Sequence, residues 1–295
     1  MSAEVWECTN AEYHAAMDRI GSSMLQVILA SPAQYYRKYI GKDADGQPLE
    51  PHQQTEALLL GSLLHCLVLE PEKYAVLYAV EPPGIDRRTN AGKDKSARFA
   101  MESIGKECVP HDLDQQARGM AAAIAADEDV QELMAGGIRE RAIIWDEDGI
   151  TCKCKADVYV PDFTPELGLL LDVKSDKNPG PDNFLSRSPG NSIRKYRYDM
   201  RLYHYSRGLL ALTGKPCSVG LIAVGKDDPY DVFVHNITPW MAVGEMHWHE
   251  AMHRLRKGRS DGVWRHPCQG VVAIADPAPW DFEPPVGYHQ EEELP

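Results

Sequence analysis

The chain has 295 residues, of which 43% are hydrophobic and 25% are charged. These values lie close to the globular average, which excludes a disordered or fibrous chain. Asp and Glu number 44 against 31 Lys and Arg, so the formal net charge is −13. An acidic chain argues against a passive coat on nucleic acid, but it allows an enzyme whose basic residues are concentrated in one place.

Cysteine usage and the apolar segments indicate a cytoplasmic protein. The seven cysteines form no CxxC pair, so we expect reduced thiols rather than a disulfide framework. The N-terminus has neither the basic nor the apolar region of a signal peptide. The longest apolar stretch, residues 58–69, is too short to span a bilayer and is typical of a buried helix.

The first 135 residues are predicted to be mainly helical. Thr9 and Glu12 form a capping-box pattern that opens a short helix. Pro32 suits the first turn of a later helix. Loops are expected over 43–53 and 81–93, and further helices over 24–29, 32–39, 55–69, 93–104 and 112–126.

The pattern changes at about residue 139, where strands become the expectation. Residues 141–146 and 151–160 flank Glu147-Asp148-Gly149, which is a hairpin signal. Residues 167–173 form a short apolar run typical of a central strand. A long helix over 193–212, strands over 218–224 and 231–237, and a helix over 239–257 follow. The order β–β–β–α–β–β–α predicts an α/β core.

We divide the chain into three parts. Residues 1–135 are a helical N-terminal portion packed on the core, 136–260 are the core itself, and 261–295 are an acidic, Pro-rich tail. Residues 276–295 contain six acids and no Lys or Arg. By contrast, residues 187–207 carry six basic residues, one acid and interleaved tyrosines. Such a stretch either contacts phosphates and bases or is a solvated helix face.

The strongest chemical signal is Asp157 followed by Asp172 and Lys174. Side chains of a strand alternate, so Asp172 and Lys174 are expected on the same side of one strand. Carboxylates from two neighbouring strands supply the hard oxygen ligands that Mg²⁺ prefers, and a lysine beside them can orient a water molecule. Taken by itself, Asp-x-Lys is also compatible with an ordinary ion pair at the end of a strand.

Two helices add residues to this pattern. His65 lies four residues after Gly61 on the apolar helix, where a core histidine would be the simpler interpretation. Arg201 and Tyr205 lie on one face of the basic helix because they are also four residues apart.

The order Gly-x-x-x-His, Asp, Asp-x-Lys and then Gln-x-x-x-Tyr resembles the motif set of RecB-type nucleases in the PD-(D/E)XK superfamily. The similarity is closest to the exonuclease VIII (RecE) group of phage and prophage enzymes. It is carried by residues 31–35, 61–71, 87–93, 152–157, 171–175 and 196–198, and it spans roughly residues 10 to 240.

The resemblance implies a PD-(D/E)XK core, in which a central mixed sheet is flanked by helices. It also implies an exodeoxyribonuclease that uses Mg²⁺, with Mn²⁺ as an alternative, on the ends of linear double-stranded DNA. Members degrade one strand 5′ to 3′ and leave 3′ single-stranded tails for recombination by a RecT-like annealing protein. A ring-like homo-oligomer around DNA and no membrane association are expected.

Carried over residue by residue, the resemblance assigns roles in this chain. His65, Asp157, Asp172 and the Val173 carbonyl would be metal ligands. Lys174 would position water, and Tyr205 would complete the catalytic set. The expected DNA contacts are Arg87, Arg88, Lys93, Arg194, Arg197 and Arg201. Arg201 stands where the family pattern has Gln; it can bind phosphate but cannot accept a hydrogen bond.

Other interpretations remain open at this stage. Residues 249–253 match HExxH, the helix motif of zinc metalloproteases, although no third ligand is obvious. Cys152 and Cys154 share a strand face, which raises the alternative of an iron–sulfur cluster. An endonuclease or a non-catalytic DNA-binding protein could also use the PD-(D/E)XK fold.

Overall fold

A computed structural model of the chain describes residues 2–51, 53–85, 88–188, 190–266 and 268–270. The strands are β1 (Ala3–Val5), β2 (Tyr78–Val80), β3 (Glu107–Val109), β4 (Ile138–Glu147), β5 (Ile150–Val160), β6 (Gly168–Asp176), β7 (Cys217–Gly225) and β8 (Val232–Asn236). The helices are α1 (Asn10–Ala15), α2 (Ser22–Ala30), α3 (Pro32–Tyr35), α4 (Glu56–Leu69), α5 (Tyr74–Leu77), α6 (Asn90–Glu102), α7 (His111–Ala126), α8 (Glu128–Met134), α9 (Pro181–Phe184), α10 (Ser192–Lys195), α11 (Tyr198–Thr213) and α12 (Met241–Asp261).

A six-stranded mixed sheet forms the centre of the protein. Its strand order is β1-β4-β5-β6-β7-β8. Strands β6 and β7 are parallel, and the other neighbouring pairs are antiparallel. The predicted α/β fold, with a central mixed sheet flanked by helices, is therefore confirmed. Strands β2 and β3 form a separate parallel pair.

Helices cover both faces of the central sheet. On one face, α2, α11 and α12 pack around apolar side chains such as Ile28, Leu209 and Trp248. On the other face, α4 and α7 pack around Leu63, Met120 and their neighbours. The N-terminal portion thus supplies helices to both layers and the edge strand β1 to the sheet. The boundaries after residues 135 and 260 stay predictions.

The β4–β5 hairpin follows its turn residues. Asp148 and Gly149 have φ values of 54° and 80°. Two consecutive positive φ values match the twist of a two-residue hairpin, and Asp-Gly is a favoured sequence for it. The turn fixes the register, in which Glu147 pairs with Ile150 and Trp145 with Cys152. The hairpin predicted from the sequence is present.

The predicted helix over 193–212 is wrong in one respect, because it is broken at Arg197. This residue has φ 53°, in the left-handed region, and separates α10 from α11. Its guanidinium contacts the ring of His247 at 3.2 Å and 3.3 Å, and His247 Nδ1 lies 2.9 Å from Asp199 Oδ2. Contacts with α12 therefore hold a backbone conformation that sequence periodicity does not show.

Smaller differences concern elements that depend on tertiary pairing. Strands β1, β2 and β3 have three residues each, and they were not predicted, nor was α8. Helix α6 begins at Asn90 because the Thr89 side chain accepts from Gly92 N, so the predicted loop over 81–93 ends earlier. Within the described residues, no helix has both the length and the apolar character needed to cross a membrane.

His204 is a fully buried histidine with both ring nitrogens engaged. Nε2–H donates to Lys153 O at 3.0 Å, and Nδ1 accepts from Trp248 Nε1 at 3.0 Å. A second ring proton would therefore face the indole N–H. Burial lowers the pKa of His204 from 6.5 to about 4.

We expect this histidine to make folding pH-dependent. Its pKa is lower in the folded than in the unfolded chain, so its contribution is complete above pH 6.5 and is lost as the pH falls towards 4. The free energy of unfolding should fall by about 1 kcal/mol from pH 7.5 to pH 5.5 because of His204. Urea denaturation at both pH values measures it. His204→Gln, which cannot titrate but can still donate to Lys153 O, should show a shallower fall; an unchanged slope would contradict the assignment.

Candidate active site

The site is built where the β4–β5 ladder is interrupted. Strand pairing runs through Arg139↔Val158 and resumes at Arg141↔Ala156, so Glu140 and Asp157 face each other without pairing. Glu140 has φ 48°, a left-handed conformation inside a strand. A non-glycine residue in this region costs of order 1–3 kcal/mol and is concentrated at functional sites.

The interruption changes which face each strand presents. Ile138 and Ile143 contact the same apolar core although they are five residues apart, and strict alternation would put them on opposite faces. On β5, Ala156 and Tyr159 share that core although they are three positions apart. The alternation thus shifts by one residue on both strands at Glu140 and Asp157, and both carboxylates lie near His65 of α4.

Strand β6 brings a carboxylate, a carbonyl and an ammonium group to the same place. Val173 N–H donates to Asp157 Oδ2 at 2.8 Å. Lys174 Nζ lies 2.5 Å from Asp172 Oδ2 and 3.7 Å from Asp157 Oδ2, and it donates to Val173 O at 2.8 Å. Asp157 and Asp172 are both buried. The predicted convergence of Asp157, Asp172 and Lys174 is present.

Helix α4 places His65 over this cluster. The helix begins after Thr55, whose side chain accepts from Leu58 N, and it packs its apolar residues against the sheet. His65 Nε2 lies 2.8 Å from Val173 O. A carbonyl only accepts, so Nε2 carries a proton and Nδ1 is the ring nitrogen that faces the carboxylates. Nδ1 lies 3.6 Å from Asp157 Oδ2 and 3.9 Å from Glu140 Oε1.

The pKa values of the buried carboxylates are shifted in different directions. Burial raises the pKa of Asp157, but His65 and Lys174 outweigh this and hold it below its usual value. Burial raises the pKa of Asp172, and the neighbouring Asp157 adds to it while Lys174 opposes it. Burial and Asp157 likewise raise the pKa of Glu140. Repulsion between neighbouring carboxylates and their burial therefore outweigh the attraction of Lys155 and Lys174 at Glu140 and Asp172.

This donor set fits a hard divalent cation. The side chains of His65, Glu140 and Asp157 each bring a ligand atom within 4.8 Å of the others. Asp172 Oδ2, beside them, is buried and lies 2.5 Å from Lys174 Nζ. Carboxylate oxygens with one imidazole nitrogen suit Mg²⁺ or Mn²⁺. Val173 O already accepts from His65 and Lys174, so it would bind a cation only if one of these donors moved.

Comparison with known proteins places this arrangement in a family. Residues 21–274 match the family described as a PDDEXK-like domain of unknown function, DUF3799. The match covers most of the chain. The protein belongs to this PDDEXK-like family.

One solved structure shows the same fold at low sequence similarity. It is the crystal structure of a putative exonuclease from Eubacterium rectale, with a TM-score of 0.60 and 15% identity. The match covers 92% of this chain and 96% of that one. At this identity the likeness concerns the fold alone. No curated protein sequence matches the chain.

Glu140 is the PDDEXK-like site residue that sequence reasoning missed. Its signal is the hairpin register, because counting back from the Asp148–Gly149 turn places Glu140 opposite Asp157. Glu140 forms an ion pair with Lys155, and Lys155 Nζ also donates to Asn10 Oδ1 at 2.7 Å.

The predicted basic and aromatic residues fall into three groups. Arg201 and the half-buried Tyr205 lie near the carboxylates, where Arg201 opposes the effect of burial on the pKa of both Asp172 and Tyr205. Arg194 and Arg197 make internal contacts: Arg194 donates to two backbone carbonyls of the loop before it, and Arg197 contacts His247. Arg88 and Lys93 are exposed, and Arg87 lies outside the described residues.

The alternative metal motifs gain little support from the geometry. His249 and His253 are exposed on α12, and Glu250 is paired with Arg254 at 2.7 Å. Cys152 and Cys154 are buried, and burial raises the pKa of both thiols. Neither set belongs to a group of three metal-ligating side chains among the described residues.

We expect Asp172→Asn to stabilise the cation-free protein. The substitution removes a charge that burial and Asp157 disfavour, so the melting temperature should rise by a few degrees, equivalent to about 1 kcal/mol. Added Mg²⁺ or Mn²⁺ should raise the melting temperature of the wild type, with a much smaller rise for this variant. Differential scanning fluorimetry with and without each cation measures both effects.

Asp176→Asn is the matched control on the same strand. Asp176 is also buried, but its oxygens accept from Ser192 Oγ at 2.6 Å and from Asn178 N at 2.9 Å. This variant should therefore melt at a lower temperature than the wild type and keep the response to the cation. Destabilisation by both substitutions would show that Asp172 is a structural carboxylate.

Proposed function

We propose that this PDDEXK-like protein is a Mg²⁺-dependent exodeoxyribonuclease that hydrolyses phosphodiester bonds from the ends of linear double-stranded DNA. The observation that carries the proposal is the convergence of Asp157, Asp172, Lys174 and His65, because the order of these residues in the sequence resembles RecE-like enzymes. The family match supports a nuclease, and the Eubacterium rectale protein, whose fold is similar, is described as an exonuclease.

Each side chain of the site would have a separate role in hydrolysis. A divalent cation bound here, Mg²⁺ or alternatively Mn²⁺, would polarise the phosphate and acidify a water molecule. Lys174 is held in place by Asp172 and Val173 O, so its remaining N–H can orient the attacking water. His65 is held by the same carbonyl, which keeps Nδ1 aimed at Asp157 and Glu140.

Exposed basic and aromatic residues would supply the contacts with DNA. Lys93 is exposed on α6, and Tyr196, 40% exposed, lies at the break between α10 and α11. Base–aromatic stacking and phosphate contacts of this type tolerate any sequence. With a net charge of −13, the chain depends on such local positive charge for DNA binding.

The finer parts of the proposal follow the resemblance to the RecE group. The enzyme would degrade one strand 5′ to 3′ and leave 3′ tails for a RecT-like annealing protein in phage or prophage recombination. It would act in the cytoplasm as a homo-oligomer around DNA. Duplexes labelled at the 5′ or the 3′ end test the direction, and light scattering with and without DNA tests the oligomer.

We expect degradation of linear duplex DNA with Mg²⁺ and none with EDTA. Asp172→Ala and Lys174→Ala should lower the rate by at least about 1,000-fold, because each removes a group that acts on the reacting atoms. DNA binding should remain mostly intact in both variants. Gel analysis of an end-labelled duplex measures cleavage, and fluorescence anisotropy measures binding.

A closed circular DNA and a surface variant are the controls. Cleavage of the circle would change the assignment to an endonuclease on the same fold. His249→Ala removes an exposed histidine of the HExxH match and should cleave at the wild-type rate. Binding without cleavage would indicate a non-catalytic DNA-binding protein, and a wild-type rate for Asp172→Ala would refute the site.

A further inference from the structure

Arg201 is a half-buried cation on α11. Its Nε is buried and has no hydrogen-bond partner in the described part of the chain. Within the described ranges, no carboxylate oxygen lies within 4.0 Å of its guanidinium. The Tyr198 ring, with its centroid 6.0 Å from Arg201 Cζ, offers only a weak cation–π contact.

This lack of a partner distinguishes Arg201 from other arginines of the same region. Arg207, also on α11, pairs with Glu147 at 2.5 Å, and Arg197 lies 3.8 Å from Asp199. Taking a guanidinium out of water is costly unless an anion or hydrogen-bond acceptors compensate for it. The environment of Arg201 is therefore incomplete in the protein without substrate.

The incomplete side lies towards the candidate active site. Although burial lowers it, the pKa of Arg201 is held above its usual value by Tyr205 and Asp172, with Asp157 contributing. The carboxylates are thus close enough to act on Arg201, but they are not in contact with it. A planar guanidinium offers a fork of donors suited to an oxygen anion with two acceptors.

A formal charge count supports an anionic ligand in this position. Three acids (Glu140, Asp157 and Asp172) face three cations (Lys155, Lys174 and Arg201), so the site is neutral when His65 is neutral. A divalent cation adds two positive charges. A phosphodiester brings one negative charge, and attack by hydroxide adds a second, so the complex is balanced when the reaction passes its transition state.

We propose that Arg201 binds the non-bridging oxygens of the scissile phosphate, on the side of the phosphate opposite the carboxylates. This inference deepens the proposed function and rests on it. In this chain, the arginine would replace the neutral contact of the Gln in the family pattern with a charged one. It would stabilise the phosphate more strongly as negative charge develops, so it would act on kcat as well as on DNA binding.

The test compares Arg201→Gln and Arg201→Lys with the wild type on an end-labelled linear duplex. We expect kcat/KM to fall about 100-fold for Gln and about 10-fold for Lys, which keeps the charge but loses the fork. Arg207→Gln, on the same helix, is the matched control and should cleave within about threefold of the wild-type rate. Arg201→Gln should melt no lower than the wild type, because it breaks no ion pair or Nε hydrogen bond.

A modified substrate separates phosphate binding from a structural role. A methylphosphonate at the first linkage that the wild type cuts replaces one charged oxygen by methyl. If Arg201 binds that phosphate, the advantage of the wild type over Arg201→Gln should shrink from about 100-fold to less than about threefold on this duplex. An equal loss on both substrates would overturn the proposal, because a structural defect would not depend on the charge of the phosphate.

Two other outcomes separate this inference from the proposed function. If the wild type cleaves with Mg²⁺, Asp172→Ala does not, and Arg201→Gln cleaves at the wild-type rate, then only the role of Arg201 is wrong. If the wild type neither cleaves nor binds duplex DNA, the proposed function and the inference both fail.

Discussion

The interruption of the β4–β5 ladder at Glu140 and Asp157 is the constraint on which the site depends. A regular antiparallel pair would continue both the pairing and the alternation through these two residues, whereas here the pairing is interrupted and Ile138 contacts the same core as Ile143. The left-handed backbone conformation of Glu140 is energetically unfavourable. At this position two carboxylates on adjacent strands face the same helix, which is the geometry that a shared cation requires.

The backbone of Val173 on β6 makes hydrogen bonds to both α4 and β5. Its N–H donates to Asp157 on β5, and its carbonyl accepts from His65 on α4 and from Lys174 on its own strand. The backbone of a single residue thereby holds a carboxylate, an imidazole ring and an ammonium group in place. Asp172 is buried beside Asp157, and this neighbour together with burial raises the pKa of Asp172 at the place where the chemistry is expected.

Local periodicity accounts for the part of the site that the sequence could predict. Asp172 and Lys174 share a side because strands alternate, and the β4–β5 turn is read from Asp148 and Gly149. Glu140 carries no such local signal: only the register counted back from the turn puts it opposite Asp157, and its left-handed backbone is not visible in the sequence. The three-residue strands β1, β2 and β3 are not predicted from the sequence either, because their partner strands lie far away in the sequence.

The break at Arg197 shows that contacts outside the site determine the position of Arg201. A continuous helix over 193–212 would form its first turn near residue 193. Instead, α11 begins after Arg197, whose carbonyl accepts from Arg201 N at 3.0 Å. The left-handed residue is held by His247, which in turn contacts the buried Asp199. Helix α12 thus sets the start of α11. Because a helix is rigid over one turn, the position of its first residue also sets the direction in which the Arg201 side chain projects from α11.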